Sequence, residues 1–124
     1  MLLTASILLL VSRVLAHPGQ ISERQSCPKI HIFGARETTA PAGYGTAGTV
    51  VNLVLSSYPG STAEAIVYPA CGGQSSCGGK SYGASALEGT GNVAKVVNAF
   101  NTKCPDTQLV LVGYSQVRKN SIPL

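Results

Sequence analysis

Ser115 is the residue whose setting points most directly to chemistry. It stands in the segment Gly-Tyr-Ser-Gln (113–116), directly after the largely apolar run 108–112. A serine on a sharp turn after a buried strand presents its hydroxyl above the sheet edge, beside backbone amides that can stabilise an oxyanion. Taken alone, Gly-x-Ser is more often an ordinary turn, so the surrounding sequence has to decide. The pattern indicates a nucleophile for acyl transfer.

The acid and the base that such a serine needs are not found after it. Hydrolases of this type place them in the chain order Ser, Asp or Glu, His, whereas residues 117–124 contain no carboxylate side chain and no histidine. His31 precedes Ser115 and falls within a predicted strand, so we interpret it as structural. Glu37 is interpreted as a solvated ion-pair partner of Arg36. The chain as written is therefore expected to lack the triad Asp and His and to be inactive.

Five predicted elements would position these residues. Apolar residues recur at helical spacing within 50–58 and 93–100, and Ser81 is a candidate N-cap of the second helix. The order strand, helix, strand, helix, strand predicts parallel strands joined by right-handed crossovers. The last strand is almost continuously apolar, which predicts burial on both of its faces. The predicted strands cover residues 29–33, 63–68 and 108–112.

The first residues are predicted to direct the chain out of the cell. Residues 1–16 have the apolar stretch and the small or apolar residues before a cleavage point that are typical of a secretory signal peptide. Residues 17–25 are interpreted either as a pro-segment trimmed after Arg24 or as a disordered tail. The apolar stretch is shorter than the roughly 20 residues that span a bilayer, so no membrane anchor is expected.

Composition narrows the remaining function classes. The 124 residues suit one domain, and the net charge is +4 at pH 7. The basic residues are scattered and not interleaved with aromatic residues, so nucleic acid is not an expected partner.

The segment 43–48 matches the dinucleotide-binding spacing Gly-x-Gly-x-x-Gly, but it follows the first strand at a distance and no acidic residue ends the second strand. We expect these glycines to form a tight helix entry, and we expect no cofactor.

Four cysteines in a chain with a secretory leader predict two disulfides, for which three pairings exist. Cys71 and Cys77 could close a small glycine-containing loop. Cys27 and Cys104 would then join the start of the first strand to the end of the last helix. A zinc site is the competing interpretation, but neither Cys-x-x-Cys spacing nor clustered histidines support it. No metal site is therefore expected.

Three segments carry a resemblance to a known family. They are Ser-Cys-Pro-Lys-Ile-His-Ile-Phe-Gly-Ala-Arg-Glu-Thr-Thr (26–39), Tyr-Pro-Ala-Cys-Gly-Gly-Gln-Ser-Ser-Cys-Gly-Gly (68–79) and Leu-Val-Gly-Tyr-Ser-Gln (111–116). With them, residues 26–116 resemble the N-terminal half of fungal acetylxylan esterases of the cutinase-like family. The resemblance implies an α/β fold, a three-layer sandwich around a mainly parallel sheet, here truncated after the nucleophile strand.

The resemblance also implies roles for individual residues. Ser115 takes the position of the nucleophile, and the backbone amide of Gln116 is one oxyanion donor. The backbone amide and hydroxyl of Thr38 supply the second donor. The disulfides that the resemblance implies are Cys27–Cys104 and Cys71–Cys77.

These observations predict a secreted serine esterase that acts through an acyl-enzyme on Ser115. The resemblance implies that it deacetylates xylan or hydrolyses other short-chain esters, with cutin as the alternative substrate class. A non-catalytic secreted fragment with a binding role, or none, is the alternative function. The expected partner is an acetylated polysaccharide or a small ester, with neither nucleic acid nor membrane. At full length we expect a monomer. The truncated chain would tend to aggregate, because a strand edge and helix faces would be uncovered.

Residues 117–124 do not follow the resemblance. The family reads Gly-Tyr-Ser-Gln-Gly, whereas Val117 follows Gln116 in this chain. Codons for Gln-Val-Arg (116–118) can form a strong splice-donor consensus, which leads to the hypothesis that 117–124 is translated intron. A genomic sequence without a donor at these codons would exclude that hypothesis. A natural truncation with a new tail is the alternative.

Overall fold

The fold is built around a sheet of parallel strands. The structure is a computed structural model, and it describes residues 27–116. The predictions for residues 1–16, 17–25 and 117–124 lie outside the described residues. The elements are β1 Ile30–Ala35, α1 Gly48–Ser57, β2 Thr62–Ala65, α2 Tyr82–Lys103 and β3 Gln108–Gly113. The strands run side by side in the order β2-β1-β3, and both pairings are parallel.

The two helices cover opposite faces of β1. Phe33 and Ala35 point to the face where Val93 of α2 completes the buried core. On the other face, Gly34 lies so close to α1 that an added Cβ would stand 3.0 Å from the side chain of Val51. Successive strand residues face opposite sides of a sheet, so the sheet is sandwiched between helices. The predicted three-layer α/β fold is confirmed.

Helix α2 begins where its sequence predicts. The hydroxyl of Ser81 accepts a hydrogen bond from the backbone N–H of Ala84 at 3.1 Å, which satisfies one of the free amides of the first turn. At mid-helix, Gly89 lets the helix approach Tyr68, because an added Cβ would stand 2.8 Å from the Tyr68 ring.

Within residues 27–116, neither helix is both long and apolar enough to cross a membrane.

Strand β3 is less buried than its sequence predicts. Leu111 is 48% exposed, whereas the apolar run predicted burial on both faces. Within residues 27–116, β3 pairs only with β1, so it is an edge strand. Leu109 of this strand packs against the core.

Strand β2 is shorter than predicted and ends at Ala65. Beyond it the backbone of Ile66 still donates to Gly34 at 2.8 Å, and then side-chain bonds replace the ladder. The guanidinium of Arg36 donates to the carbonyl of Tyr68 at 2.6 Å. The phenol of Tyr68 in turn donates to the carbonyl of Arg36.

Two disulfides tie the described chain together. Cys27–Cys104 joins the segment before β1 to the end of α2, and Cys71–Cys77 closes the loop that precedes α2. This is the pairing that the family resemblance implies. Near the first bond, the hydroxyl of Thr107 donates to the carbonyl of Pro28 at 2.6 Å. The start of β1 and the start of β3 are therefore held at one end of the sheet.

Candidate active site

The carboxyl ends of the strands form the edge at which the predicted site residues meet. Ala35, the last residue of β1, pairs with Gly113, the last residue of β3. The loop after β1 carries Thr38, and the turn after β3 carries Ser115. Since parallel strands end on the same side of a sheet, both residues follow neighbouring strand ends, where α/β folds place their ligands.

Ser115 is exposed and has a φ of 62°, a left-handed conformation that is uncommon for a residue with a side chain. Two other non-glycine residues among the described ones have positive φ, Thr39 at 68° and Ala70 at 51°. Each of the three follows a different strand at its carboxyl end, and the backbone of Thr39 donates to Ala70 at 2.8 Å. Such strained positions cluster at functional sites, and a strained turn after a strand presents a nucleophilic hydroxyl to solvent.

Gln116 turns its side chain into the protein directly after the exposed serine. It is 1% exposed, and its Nε2 donates to the carbonyls of Cys71 at 3.0 Å and Tyr82 at 3.2 Å. Its Oε1 accepts from the hydroxyl of Ser85 at 3.3 Å. The turn that bears Ser115 is thereby anchored to the loop before α2 and to the first turns of that helix.

Thr38 has a hydroxyl with no partner among the described residues, although its oxygen is buried. Its γ-methyl packs against Gly72, where an added Cβ would stand 2.9 Å from that methyl. Buried polar atoms without a hydrogen bond are rare and call for an explanation. A hydroxyl left free at the ligand edge of the sheet can donate to a bound oxygen atom.

Glu37 does not form the predicted ion pair with Arg36. Its carboxylate accepts from the backbone N–H of Thr46 at 2.8 Å and from the hydroxyl of the same residue at 2.7 Å. These hydrogen bonds lower the pKa of Glu37 below its usual value. Arg36 is instead held by Tyr68, with its guanidinium carbon 5.3 Å from the ring centre. The prediction was wrong because a backbone amide at the entry to α1 is a closer partner than the neighbouring side chain.

The glycine segment 43–48 forms that entry. Gly43 and Gly45 have φ values of 125° and 56°, and α1 begins at Gly48. An added Cβ at Gly45 would overlap the Glu37 carboxylate. The glycines therefore give the tight helix entry that we predicted from their spacing.

His31 lies inside the sheet and away from Ser115. It pairs with Leu109, four residues before the pairing of Ala35 with Gly113 that marks the site edge, a distance of about 13 Å along the strands. Its ring stacks on Phe100 with centroids 4.0 Å apart, and its Nδ1 lies 2.6 Å from the hydroxyl of Thr62. Burial lowers the pKa of His31, an effect that the nearby Glu64 partly opposes. This position is structural, and it excludes His31 as the base for Ser115.

Sequence reasoning missed Ser85. This residue is fully buried, and its hydroxyl accepts from the backbone N–H of Cys71 at 2.9 Å while it donates to Gln116. The available signal was its position on α2, since Ser85, Gly89 and Val93 follow one another at intervals of four residues and are all buried. A buried serine on a helix bonds either to the backbone of its own helix or to a polar partner from elsewhere in the chain, and Ser85 does the latter.

Among residues 27–116, no group of three or more His, Cys, Asp or Glu side chains could hold a metal ion.

Comparison with known proteins gives consistent matches. The family model described as Cutinase matches residues 26–120. The chain is 69% identical over 111 residues to Cutinase 11 of Verticillium dahliae, covering 90% of this chain and 38% of that protein. It is 68% identical over 96 residues to Acetylxylan esterase 2 of Talaromyces purpureogenus, covering 77% of this chain and 41% of that protein.

Solved structures agree with these relatives. An acetylxylan esterase determined at 0.90 Å matches with a TM-score of 0.70 and 70% identity, covering 73% of this chain and 44% of that one. The catalytic core domain of an acetyl xylan esterase from Trichoderma reesei matches with a TM-score of 0.73 and 61% identity, covering 77% and 48%. The chain spans about two-fifths of the length of the curated relatives named above.

Proposed function

The chain belongs to the cutinase family, and from this premise we propose that residues 27–116 supply the nucleophile and the oxyanion hole of a serine esterase. The observation that carries the proposal is the backbone of Ser115, which is exposed at a φ of 62° directly beyond the carboxyl end of β3. A serine in that conformation presents Oγ to solvent, and the next backbone amide lies beside the point where an oxyanion would form.

The proposed reaction has two steps. Oγ of Ser115 attacks the ester carbonyl carbon while a base takes its proton, and the tetrahedral intermediate collapses to an acyl-enzyme as the alcohol leaves with that proton. Water then attacks the acyl-enzyme and releases the carboxylic acid and the free serine. The oxyanion of each intermediate accepts hydrogen bonds from the backbone amide of Gln116 and from the amide and hydroxyl of Thr38. Such donors stabilise the negative charge that develops on this oxygen as the tetrahedral state forms and that the ester itself does not carry.

We propose that the base and its partner acid come from outside residues 27–116. His31 is the only histidine in that range and lies at the wrong end of β1, and Glu37 is occupied by Thr46. The 124-residue chain by itself is accordingly proposed to have no esterase turnover. We propose that catalysis belongs to a longer, full-length protein that contains these residues, and that form is the one in which it should be measured.

The proposed substrates are acetyl groups on xylan and other short-chain esters, with cutin as the alternative class. Support comes from the names of the relatives, which include acetylxylan esterases from two fungi and cutinases from two others. We also propose that the protein is secreted, since the two disulfides suit an oxidising compartment.

Covalent labelling tests the proposed nucleophile. An alkyl fluorophosphonate transfers its phosphonyl group to an activated serine with loss of fluoride, and mass spectrometry of the digested protein locates the adduct. We expect one adduct, on Ser115, in the full-length protein, and the same adduct in a Ser57→Ala variant that removes an exposed serine of α1. An adduct on another serine, or none in a protein that hydrolyses esters, would contradict the proposal.

Thr38→Val tests the second oxyanion donor. The change removes the hydroxyl and keeps a methyl group against Gly72, so we expect kcat for a small acetate ester to fall on the order of 100-fold. Because the hydroxyl has no partner among the described residues, we expect no loss of thermal stability. Kinetics and a melting curve on the same preparation check both parts. A variant that keeps its kcat would exclude the hydroxyl as a donor.

A further inference from the structure

A closed ring of hydrogen bonds lies directly beneath the Ser115 turn. The hydroxyl of Ser85 accepts from the N–H of Cys71 at 2.9 Å and donates to Oε1 of Gln116 at 3.3 Å. Nε2 of Gln116 closes the ring by donating to the carbonyl of Cys71 at 3.0 Å, and its other donor bond goes to Tyr82 at 3.2 Å. Both backbone polar groups of Cys71 are thus hydrogen-bonded within one ring. Both polar atoms of the Gln116 side-chain amide are hydrogen-bonded as well.

The same short segment contacts the loop that carries the other proposed oxyanion donor. Gly72 packs against the γ-methyl of Thr38, and the carbonyl of Ala70 accepts from the backbone N–H of Thr39 at 2.8 Å. The segment 70–72 therefore lies between Thr38 on one side and Gln116 on the other.

Three residues near the ring have a strained backbone conformation that has to be held in place. Ser115 at 62°, Ala70 at 51° and Thr39 at 68° occupy a conformation that persists only where the surroundings hold it. Ser85 and Gln116 are both buried, and buried polar networks that are fully satisfied make a structure rigid.

We propose that Ser85 and the side chain of Gln116 are positioning residues of the esterase site, which hold the two oxyanion donors at their working separation through the segment 70–72. The proposal rests on the proposed function and deepens it. It assigns Gln116 a side-chain role separate from that of its backbone amide. Ser85 touches neither substrate nor reacting atoms and acts only through Cys71 and Gln116.

Two substitutions break the ring without removing a backbone donor. Ser85→Ala leaves the N–H of Cys71 and Oε1 of Gln116 without the hydroxyl that joins them. Gln116→Met keeps the length of the side chain and the backbone N–H and loses all three amide bonds. A displacement of about 1 Å at a reacting group can cost on the order of 100-fold in rate. We expect each variant to lower kcat for 4-nitrophenyl acetate by up to about that factor, with KM little changed.

Affinity for phenylboronic acid separates positioning from a merely structural effect. Boron bonds to the serine oxygen and becomes a tetrahedral anion with an oxygen in the hole, so it measures stabilisation of the tetrahedral state. In the full-length protein, we expect each ring variant to weaken boronate binding by the factor by which it lowers kcat/KM. The double variant should lose much less than the product of the single losses, because both changes break one network.

Thr90→Val is the matched control on the same helix. Its hydroxyl donates at 3.0 Å to Ala86 within α2, and we expect this variant to keep its kcat and its boronate affinity. If Ser85→Ala does not fold, Gln116→Met alone carries the test. Ring variants that fold and keep kcat/KM and boronate affinity within about two-fold of wild type would overturn the proposal. An active Ser115→Ala variant would instead overturn the proposed function, so the two failures are distinguishable.

Discussion

Replacing Ser115 with alanine is expected to lower kcat for a short-chain ester by on the order of a million-fold in the full-length protein. The change removes the atom that we propose forms the acyl-enzyme. The remaining rate enhancement would come only from substrate binding and from the oxyanion hole that we propose for Thr38 and Gln116. The fold should survive, because Ser115 is exposed and alanine adds no atoms. Stopped assays with 4-nitrophenyl acetate, corrected for spontaneous hydrolysis, measure the loss.

Ser57→Ala is the control for this experiment. Ser57 is exposed at the end of α1, on a different element from the site, so its loss should leave the rate unchanged. Circular dichroism of both variants checks that they are folded. Retention of more than a small fraction of the wild-type rate by Ser115→Ala would show that the nucleophile is another residue.

The second large effect concerns the long disulfide. Replacing Cys27 and Cys104 together with serine is expected to lower the free energy of unfolding by about 4 kcal/mol in the chain-entropy model. Their sequence separation is 77 residues, so the bond removes much of the freedom of the unfolded chain. Urea unfolding followed by circular dichroism measures the difference.

The short disulfide provides the comparison. Cys71 and Cys77 are separated by 6 residues, and the same model expects a loss of only about 2 kcal/mol when both become serine. The double variants should therefore differ in their urea midpoints, with Cys27→Ser/Cys104→Ser the less stable. Equal midpoints, or the reverse order, would show that native-state contacts of the small loop outweigh chain entropy.

Several features could be predicted because their causes are local in the chain. Ser81 caps α2 through an amide only three residues away, and the apolar spacing of 93–100 marks the face of that helix. The turn at 113–116 carries its signal in four consecutive residues after an apolar run. In each case the residues that make the contact lie within one turn or one strand, so periodicity and residue type were enough.

The local pattern was misleading where a partner came from elsewhere. Glu37 was assigned to its neighbour Arg36, but it binds Thr46, nine residues away, because that amide is held at the entry to α1. The apolar run of β3 predicted two buried faces, whereas the described sheet places it at an edge. Periodicity reports how apolar a strand is, and strand order decides what covers it.

The sequence by itself determined the order of the elements, the parallel α/β fold class and the sharp turn at Ser115, since these follow from residue types a few positions apart. Only the tertiary structure decided the strand order and the ring beneath the turn. Ser85 and Gln116 are 31 positions apart, and Gln116 and Cys71 are 45 apart. Bonds between residues so far apart in the sequence require the crossovers that bring three strand ends to one edge, and no local pattern of residues encodes them.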